Sequence, residues 1–570
     1  MSRPAFRFRP RLLDAVRGYR REDFQADLSA GVTVGMVALP LAMAFGIASG
    51  VSPEAGLFTA IVAGVLISAL GGSRVQIGGP AGAFVALLYA ILERHGLANL
   101  LIATMMAGAL LFAMGALRVG QLIRFVPVPV VTGFTNGIAV IIGMHQLKDF
   151  LGLAIPKMPA NALSQIGALW AHLATVNLAA VGLGSISLAL IALWPKPYEA
   201  HRTRWRARLA RVPGTIAVLG LGMVAVSVLG LPVETIGSRF GGIPQSLPSV
   251  QLPAFDWESA RNLLGPAISI ALLGAIESLL CARVADGMTG ERHDPNQELM
   301  AQGVANMVTP LVGGIAATGT IARTVTNVRA GARTPVAGMV HAATLLAIVL
   351  LFAPIAADIP MASLAAILLY VAWNMGDWTA FARLRRFSLN YRTIMLATFG
   401  LTVVFDVTVA VEVGLVLASL FFIGRVASLT RIEPVRLPAD LARLGDGSRT
   451  EVWRLFGSLF FGSVGKLETL ADPGRAQPDV LVLEMHQVIN LDTTGLDALQ
   501  TLHEQLVRRG GTLVIAEPTE QPLSLLERSG LLDRIGRHNL FADLDTALQA
   551  LRERHRGAPP PNDPPGTPQA

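Results

Sequence analysis

Apolar residues dominate the first three quarters of the chain in long blocks that show neither strand alternation nor a one-sided helical stripe. Blocks fall at 28–49, 55–70, 81–92, 97–117, 124–146, 174–194, 212–230, 263–284, 297–312, 320–332, 335–353, 361–373, 392–406 and 408–428. Most are long enough to cross a ~30 Å hydrocarbon layer as helices. Two of the shorter ones are broken by glycine and proline. The stretch GIAATGTIARTVTNVRAGARTPVAG (314–338) holds three arginines, five threonines and four glycines inside the apolar domain. Between its glycines and Pro335 there is room for roughly 15 helical residues, about 22 Å. This predicts a half-helix starting near mid-membrane at Thr320, its first-turn N–H groups and positive dipole end facing a cavity, with Arg323 one turn on. The partner stretch GGSRVQIGGPAGAFVALLYAIL (71–92) has an apolar part of only 12 residues from Ala81, and Pro80 suits the first helical position. Two short, Gly/Pro-broken segments in separate halves point to a transport site between facing half-helices.

The basic residues orient the blocks. Residues 1–26 carry seven arginines. Counting both half-helices gives fourteen segments, and the loops after even-numbered ones are the basic loops: Lys196, Arg202, Arg204, Arg206, Arg208 and Arg211; Arg283 and Arg292; Arg383, Arg385 and Arg386. The long loop at 231–262 carries only Arg239 and Arg261. This places the N-terminus and those loops in the cytoplasm. Segments one to seven and eight to fourteen look like repeats, and an odd number requires the second copy to be inverted.

Past residue 430 the pattern changes. EVWRLFGSLFFGSV (451–464), DVLVLEMHQV (479–488) and TLVIAE (512–517) read as strands, and 495–508, 520–530 and 543–554 as amphipathic helices. They predict a small soluble α/β domain at 451–555, joined by a linker at 431–450. The tail 556–570 has six prolines and is expected to be disordered.

Of the 570 residues 52% are hydrophobic and 15% charged, well below the charge of a soluble protein. Basic cytoplasmic loops account for the net charge of +7, so nucleic acid is not implied. A single cysteine, Cys281, excludes internal disulfides and cysteine metal clusters. No nucleophile–base constellation argues for an enzyme, and no cofactor or metal is implied.

The stretches 27–64, IGGPAGAF (77–84), ADGMTGERHDPNQELMAQGVANMV (285–308) and GARTPVAG (331–338) resemble signatures of the sulfate permease (SulP) anion-transporter family, and DTTGLDAL (492–499) resembles a STAS domain. The resemblance implies an α-helical polytopic membrane protein: a cytoplasmic segment 1–26, then a transport domain 27–430 of fourteen segments in a seven-plus-seven inverted repeat. Segments 1–4 and 8–11 form a core and 5–7 and 12–14 a gate, in a homodimer of the bacterial inner membrane working by elevator-like movement, with a cytoplasmic STAS domain. The implied anion site comprises Ala81, Gly82 and Ala83, facing Thr320, Ile321, Ala322 and Arg323, with Leu41 and Phe45 from the first segment. Animal relatives often have serine at Ala322 and glutamine at Leu41, so this site leans on backbone N–H groups and Arg323.

Three further residues carry candidate chemistry. Glu277 is a carboxylate within a span, four residues from Cys281 and on the same helix face. Some bacterial relatives hold sodium at these two places with an acid and a threonine. Cysteine gives up an oxygen ligand, so protons are the expected coupling ion. Thr493 stands where soluble STAS regulators accept phosphate, but helix capping by Asp492 or Thr494 is the favoured reading of the turn. The expected activity is secondary active transport of a small anion of the sulfate, bicarbonate or dicarboxylate class. The alternatives are a nucleobase-type proton symporter of the same fold and a membrane signalling module with the STAS domain as its output.

Overall fold

The computed structural model describes residues 8–121, 126–156, 158–159, 162–195, 209, 212–242, 250, 261–405, 407–470 and 478–555. The basic loop from Lys196 to Arg208, Arg211, and the proline-rich tail from 556 lie outside them. The chain divides into Met1–Val416 and Leu417–Ala570.

After a short helix α1 (Arg11–Val16), the first unit runs through α2 (Arg21–Ala48), α3 (Pro53–Leu70), a two-residue strand β1 (Gly78–Gly79) and α4 (Val85–Ala116). Gly96, at φ 80°, breaks α4 into two helices, as the sequence segments at 81–92 and 97–117 require. Then come α5 (Val128–Leu151), α6 (Ala162–Ala171), α7 (Leu178–Leu193), α8 (Gly214–Leu229) and α9 (Ile236–Phe240). The second half repeats the plan with α10 (Leu264–Thr289), α11 (Pro295–Val308), strand β2 (Thr318–Gly319), α12 (Ile321–Arg329), α13 (Val336–Ala356), α14 (Met361–Met375), α15 (Trp378–Arg383), α16 (Leu389–Val404) and α17 (Val407–Leu429). Six helices among the described residues are long and apolar enough to span a membrane by length and composition, and Leu178–Leu193, Gly214–Leu229 and Val336–Phe352 are shorter apolar ones. Helices α6, α9 and α15 were not legible as spans because they are too short.

The helices pack in two groups. One is α2, α3, α4, α10, α11, α12 and α13; the other contains α5, α7, α8, α14 and α16. β1 and β2 pair antiparallel at the centre of the first group, Gly78 opposite Gly319 and Gly79 opposite Thr318. Pro80 does not open a helix as expected. It continues the extended strand, Ala81 is also extended, and a 3-10 turn at Gly82–Phe84 leads into α4.

On the arginine-rich side, Asp27 of α2 ties down the exit of α12. Its Oδ1 accepts the backbone N–H groups of Arg333 (2.7 Å) and Thr334 (3.1 Å), and its Oδ2 accepts the hydroxyls of Thr334 (2.5 Å) and Tyr19 (2.9 Å). Burial, then the hydrogen bond to Asp27, push the Tyr19 phenol up to about 12, so it remains a donor at physiological pH. Arg333 is exposed and pairs with Asp23 at 2.9 Å.

The second unit holds a five-stranded sheet, in order β3 (Arg431–Val435), β4 (Thr450–Leu459), β5 (Val480–Leu491), β6 (Thr512–Ala516) and β7 (Leu540–Phe541). β3 is antiparallel to β4 and the rest are parallel. The stretch 431–450, read as a linker, therefore supplies an edge strand. With only five residues and no central position, its hydrophobic pattern was too short to register. Helices α20 (Thr493–Arg508), α21 (Glu520–Arg528) and α22 (Leu531–Ile535) cover one face through Leu483, Met485, Leu499, Leu506, Leu526 and Leu532. α23 (Leu544–Arg554) covers part of the other through Val482, Val514, Ala547 and Leu551.

Removing Asp27 orphans four donors, two of them backbone N–H groups. Asp27→Ala is expected to lower stability by about 3 kcal/mol, from the range for hydrogen bonds to charged groups and buried unsatisfied donors, measured as a fall in melting temperature of the detergent-solubilised protein; an unchanged melting temperature would refute the role.

Candidate anion site

Extended backbone inside an apolar domain must find hydrogen-bond partners, and here they come from side chains. Ile77 donates its N–H to Thr324 Oγ1 (2.9 Å), and its carbonyl accepts the N–H (2.9 Å) and hydroxyl (3.0 Å) of Thr320. Asn327 Nδ2 donates to Val75 O at 2.9 Å. On the other strand, Asn306 both accepts from Ala317 N–H and donates to Ala317 O, each at 2.8 Å. Thr59 Oγ1 accepts from Ile315 N–H at 2.7 Å, and Thr318 Oγ1 donates to Gly274 O at 2.8 Å. The glycines are there for contact: a Cβ on Gly319 would meet Gln76 Nε2 at 1.8 Å, and one on Gly79 would meet Arg323 Nη1 at 2.5 Å.

Beyond the paired strands both half-helices begin without a side-chain cap. Thr320 is the N-cap of α12, as its sequence position predicts, but its hydroxyl is turned onto Ile77. The first backbone bond of the helix is Thr324 N–H to Thr320 O at 2.9 Å, so the N–H groups of Ile321, Ala322 and Arg323 precede it. Ile321 and Ala322 are exposed, whereas Ala81, Gly82 and Ala83 are buried. Leu41 and Phe45 of α2 are buried too, the Phe45 ring lying close to Gly82: a Cβ there would be 3.3 Å from Phe45 Cε1 and 3.2 Å from Ile142 Cδ1. Ile142 comes from α5, in the other helix group. Nothing in the sequence distinguished it from its apolar neighbours.

Arg323 sits differently from the sequence expectation. Its side chain does not project into the space in front of the helix starts. It is 1% exposed and turned back toward the first strand, with Nη2 donating to Pro80 O at 3.4 Å and Nη1 without a partner. No carboxylate pairs with it among the described residues. An unpaired guanidinium behind two helix N-termini adds its charge to theirs through low-dielectric protein.

Glu277 and Cys281 lie on α10. With Gly274 they occupy the face that packs on β2 and α12, and Cys281 Sγ donates to Thr324 Oγ1 at 3.2 Å. Glu277 is half-buried and has no hydrogen bond or ion pair among the described residues. The sequence reading missed a second carboxylate, Glu298 of α11. It is fully buried and accepts from Gly72 N–H (2.9 Å), Ser73 N–H (3.2 Å), Ser278 Oγ (3.3 Å) and Gln302 Nε2 (3.0 Å). The polar i, i+4 series Glu298, Gln302, Asn306 was its available signal. In the second unit, Asp492 Oδ1 caps α20 by accepting from Gly495 N–H at 2.8 Å, and Thr493 is exposed at the first helical position.

Inverted halves, paired strands at the centre and opposed half-helices define a multi-pass membrane transporter. A model of the sulfate permease family matches residues 24–398, and one of the STAS domain matches 448–547. The chain belongs to the sulfate permease family and carries a C-terminal STAS domain. It is 42% identical over 528 residues to YvdB of Bacillus subtilis (strain 168), whose name assigns it provisionally to sulfate transport, covering 92% of this chain and 97% of that one. The transmembrane domain of a cyanobacterial bicarbonate transporter, BicA, superposes with a TM-score of 0.62 at 32% identity, covering 69% of this chain and 98% of that one. Murine Slc26a9, an anion transporter solved in the inward-facing state, shares the fold at a TM-score of 0.84 and 17% identity, covering 95% and 94%. These relatives are named as transporters, none as an enzyme.

The exposure of Ala322 at an uncapped helix start makes it a steric probe. Ala322→Leu is expected to abolish saturable anion uptake into liposomes, while Ala322→Ser retains it. Normal uptake by the leucine variant would remove this position from the site.

Proposed function

We propose that this protein is a secondary active transporter of a small oxyanion, of the sulfate, bicarbonate or dicarboxylate class, with the anion bound at the starts of the two half-helices. The observation that carries this reading is the pair of uncapped helix starts backed by the buried, carboxylate-free guanidinium of Arg323. Such a site offers donors and positive potential and few acceptors. A nucleobase, which presents N–H groups, would need acceptors there, and Glu277 is the one carboxylate facing that way. The sulfate and bicarbonate named for YvdB and BicA belong to the same chemical class.

In this reading the arginine-rich side, with the N-terminus and STAS domain, faces the cytoplasm of a bacterial inner-membrane protein. The group holding both strands is the moving core, α5, α7, α8, α14 and α16 belong to the gate, and two copies assemble as a homodimer. The packing of Phe45 and Ile142 over Gly82, and the Tyr89 hydroxyl donating to the Met158 carbonyl, close the side away from the arginines. The STAS domain serves assembly or regulation, with Thr493 accessible to a modifying enzyme.

Coupling is assigned to Glu277. Glu277, on the α10 face that packs on β2 and α12, has no hydrogen bond or ion pair among the described residues and is placed to take up and release a proton. Cys281 supplies a sulfur already engaged with Thr324, in place of the oxygen that sodium requires. An anion arriving in front of Arg323 screens its charge, which favours protonation of Glu277, so anion and proton enter together.

Purified protein in liposomes, given sulfate, bicarbonate and dicarboxylates under separately imposed pH and sodium gradients, tests the assignment. Uptake is expected to rise with an inward proton gradient and to ignore sodium, and Glu277→Gln is expected to lose that pH dependence. Arg323→Ala is expected to raise the apparent substrate constant about tenfold, equivalent to about 1.4 kcal/mol of lost long-range attraction. Sodium-dependent uptake, or a glutamine variant that still responds to pH, would overturn the coupling; an unchanged substrate constant in Arg323→Ala would overturn the site.

A further inference from the structure

The second unit carries a polar cluster that transport does not use. Along β5, Val480 and Val482 face the α23 side of the sheet, and alternation puts Glu484 on the same face. Its side chain is 4% exposed, at a position the pattern reserves for an apolar residue. The residues opposite it are Arg454 on β4 and Ala516 on β6, with Glu433 of β3 beyond Arg454. Glu433, Glu484 and Glu517 thus share one guanidinium, which leaves the row with excess negative charge.

Local backbone irregularities bring two more groups to Glu484. A register shift on β5 between the partners of Arg454 and Phe456 marks a bulge at Met485–His486. Glu517, just past β6, adopts φ 55°, unusual for a residue other than glycine. The ligand-type atoms of Glu484, His486 and Glu517 all lie within 4.8 Å of one another. His486 Nδ1 is 2.9 Å from Glu484 Oε1, yet the two are out of line for a hydrogen bond, and this buried nitrogen has no other partner. Lone pairs that approach each other without aligning converge on a third point. Arg454 Nε holds the other oxygen, Glu484 Oε2, at 2.6 Å, which fixes the carboxylate with Oε1 turned to that point.

We infer that Glu484, His486 and Glu517 form a binding site for a divalent transition-metal ion, Zn²⁺ by ligand type, on the STAS domain. Imidazole nitrogen and carboxylate oxygen are both ligand types that zinc takes, at about 2.0–2.2 Å, and three protein ligands leave a fourth position for water. Arg454 acts as the outer partner that orients a ligating carboxylate. The site is independent of the anion site and of the transport reading.

The test uses the full-length protein without an affinity tag, in detergent, stripped with a chelator and titrated with ZnCl₂ by calorimetry. One equivalent per chain is expected. His486→Ala and the isosteric Glu517→Gln are each expected to weaken it at least about tenfold, in line with losses at metal sites, while His538→Ala leaves it unchanged. Co²⁺ replacing Zn²⁺ is expected to give visible absorption bands of a four-coordinate site that disappear in His486→Ala. Absence of stoichiometric binding, or binding retained in both ligand variants, would overturn the proposal.

Discussion

Everything in the transport domain depends on an antiparallel contact of two residues from each half. Gly78–Gly79 and Thr318–Gly319 meet where helices would otherwise be continuous. Extended backbone costs several kcal/mol per unsatisfied group in a hydrocarbon layer. The strands therefore have to be surrounded by polar side chains with fixed geometry. Thr59, Asn306, Thr324, Asn327 and the Gly274 carbonyl fill that role. Interrupting both helices there yields two uncapped helix starts beside the paired strands, and those starts are the proposed binding chemistry.

The same constraint explains why the site is poor in side-chain donors. Where the backbone itself is to touch a ligand, side chains must be small, and Ala81, Gly82, Ala83 and Ala322 are. Thr320, the one hydroxyl at the entrance, is spent on Ile77. Charge has to be supplied from behind, and Gly79 lacks a side chain so that the Arg323 guanidinium can lie there. Placed in front, the same guanidinium would fill the space the anion needs and would bind it through contacts that also block release.

Much of this was legible in the sequence, and for identifiable reasons. Glycine and proline interrupting apolar blocks located both half-helices. The orientation of Arg323 was not legible, because one turn of helix leaves the direction of a long side chain open. Pro80 was misread because a proline suits an extended strand as well as a first helical turn. Glu298 went unnoticed inside a recognisable motif, since a buried carboxylate is identified by the N–H groups of Gly72 and Ser73, which lie far away in sequence. Ile142 could not be found at all: it differs from neighbouring valines and isoleucines only in what it faces. In the second domain, short strands at the sheet edges escaped for lack of a repeating pattern.

The origin of the strand partners bears on movement. Thr59, Asn306, Thr324, Asn327 and Gly274 all belong to α3, α10, α11 and α12, within one helix group. So do Glu298, which braces the loop leading to β1, and Asp27, which ties down the exit of α12. The contact that the other group makes at Gly82, through Ile142, is apolar and non-directional. A rigid displacement of one group along the other would therefore slide methyl groups past each other while every hydrogen bond of the paired strands travelled intact. Had a strand carbonyl been satisfied from α5 or α14, the same displacement would have orphaned it in the membrane interior, at a cost comparable with the binding energy of a small anion. If the proposed elevator-like step takes place, this partitioning of contacts around the paired strands is what would make it energetically accessible.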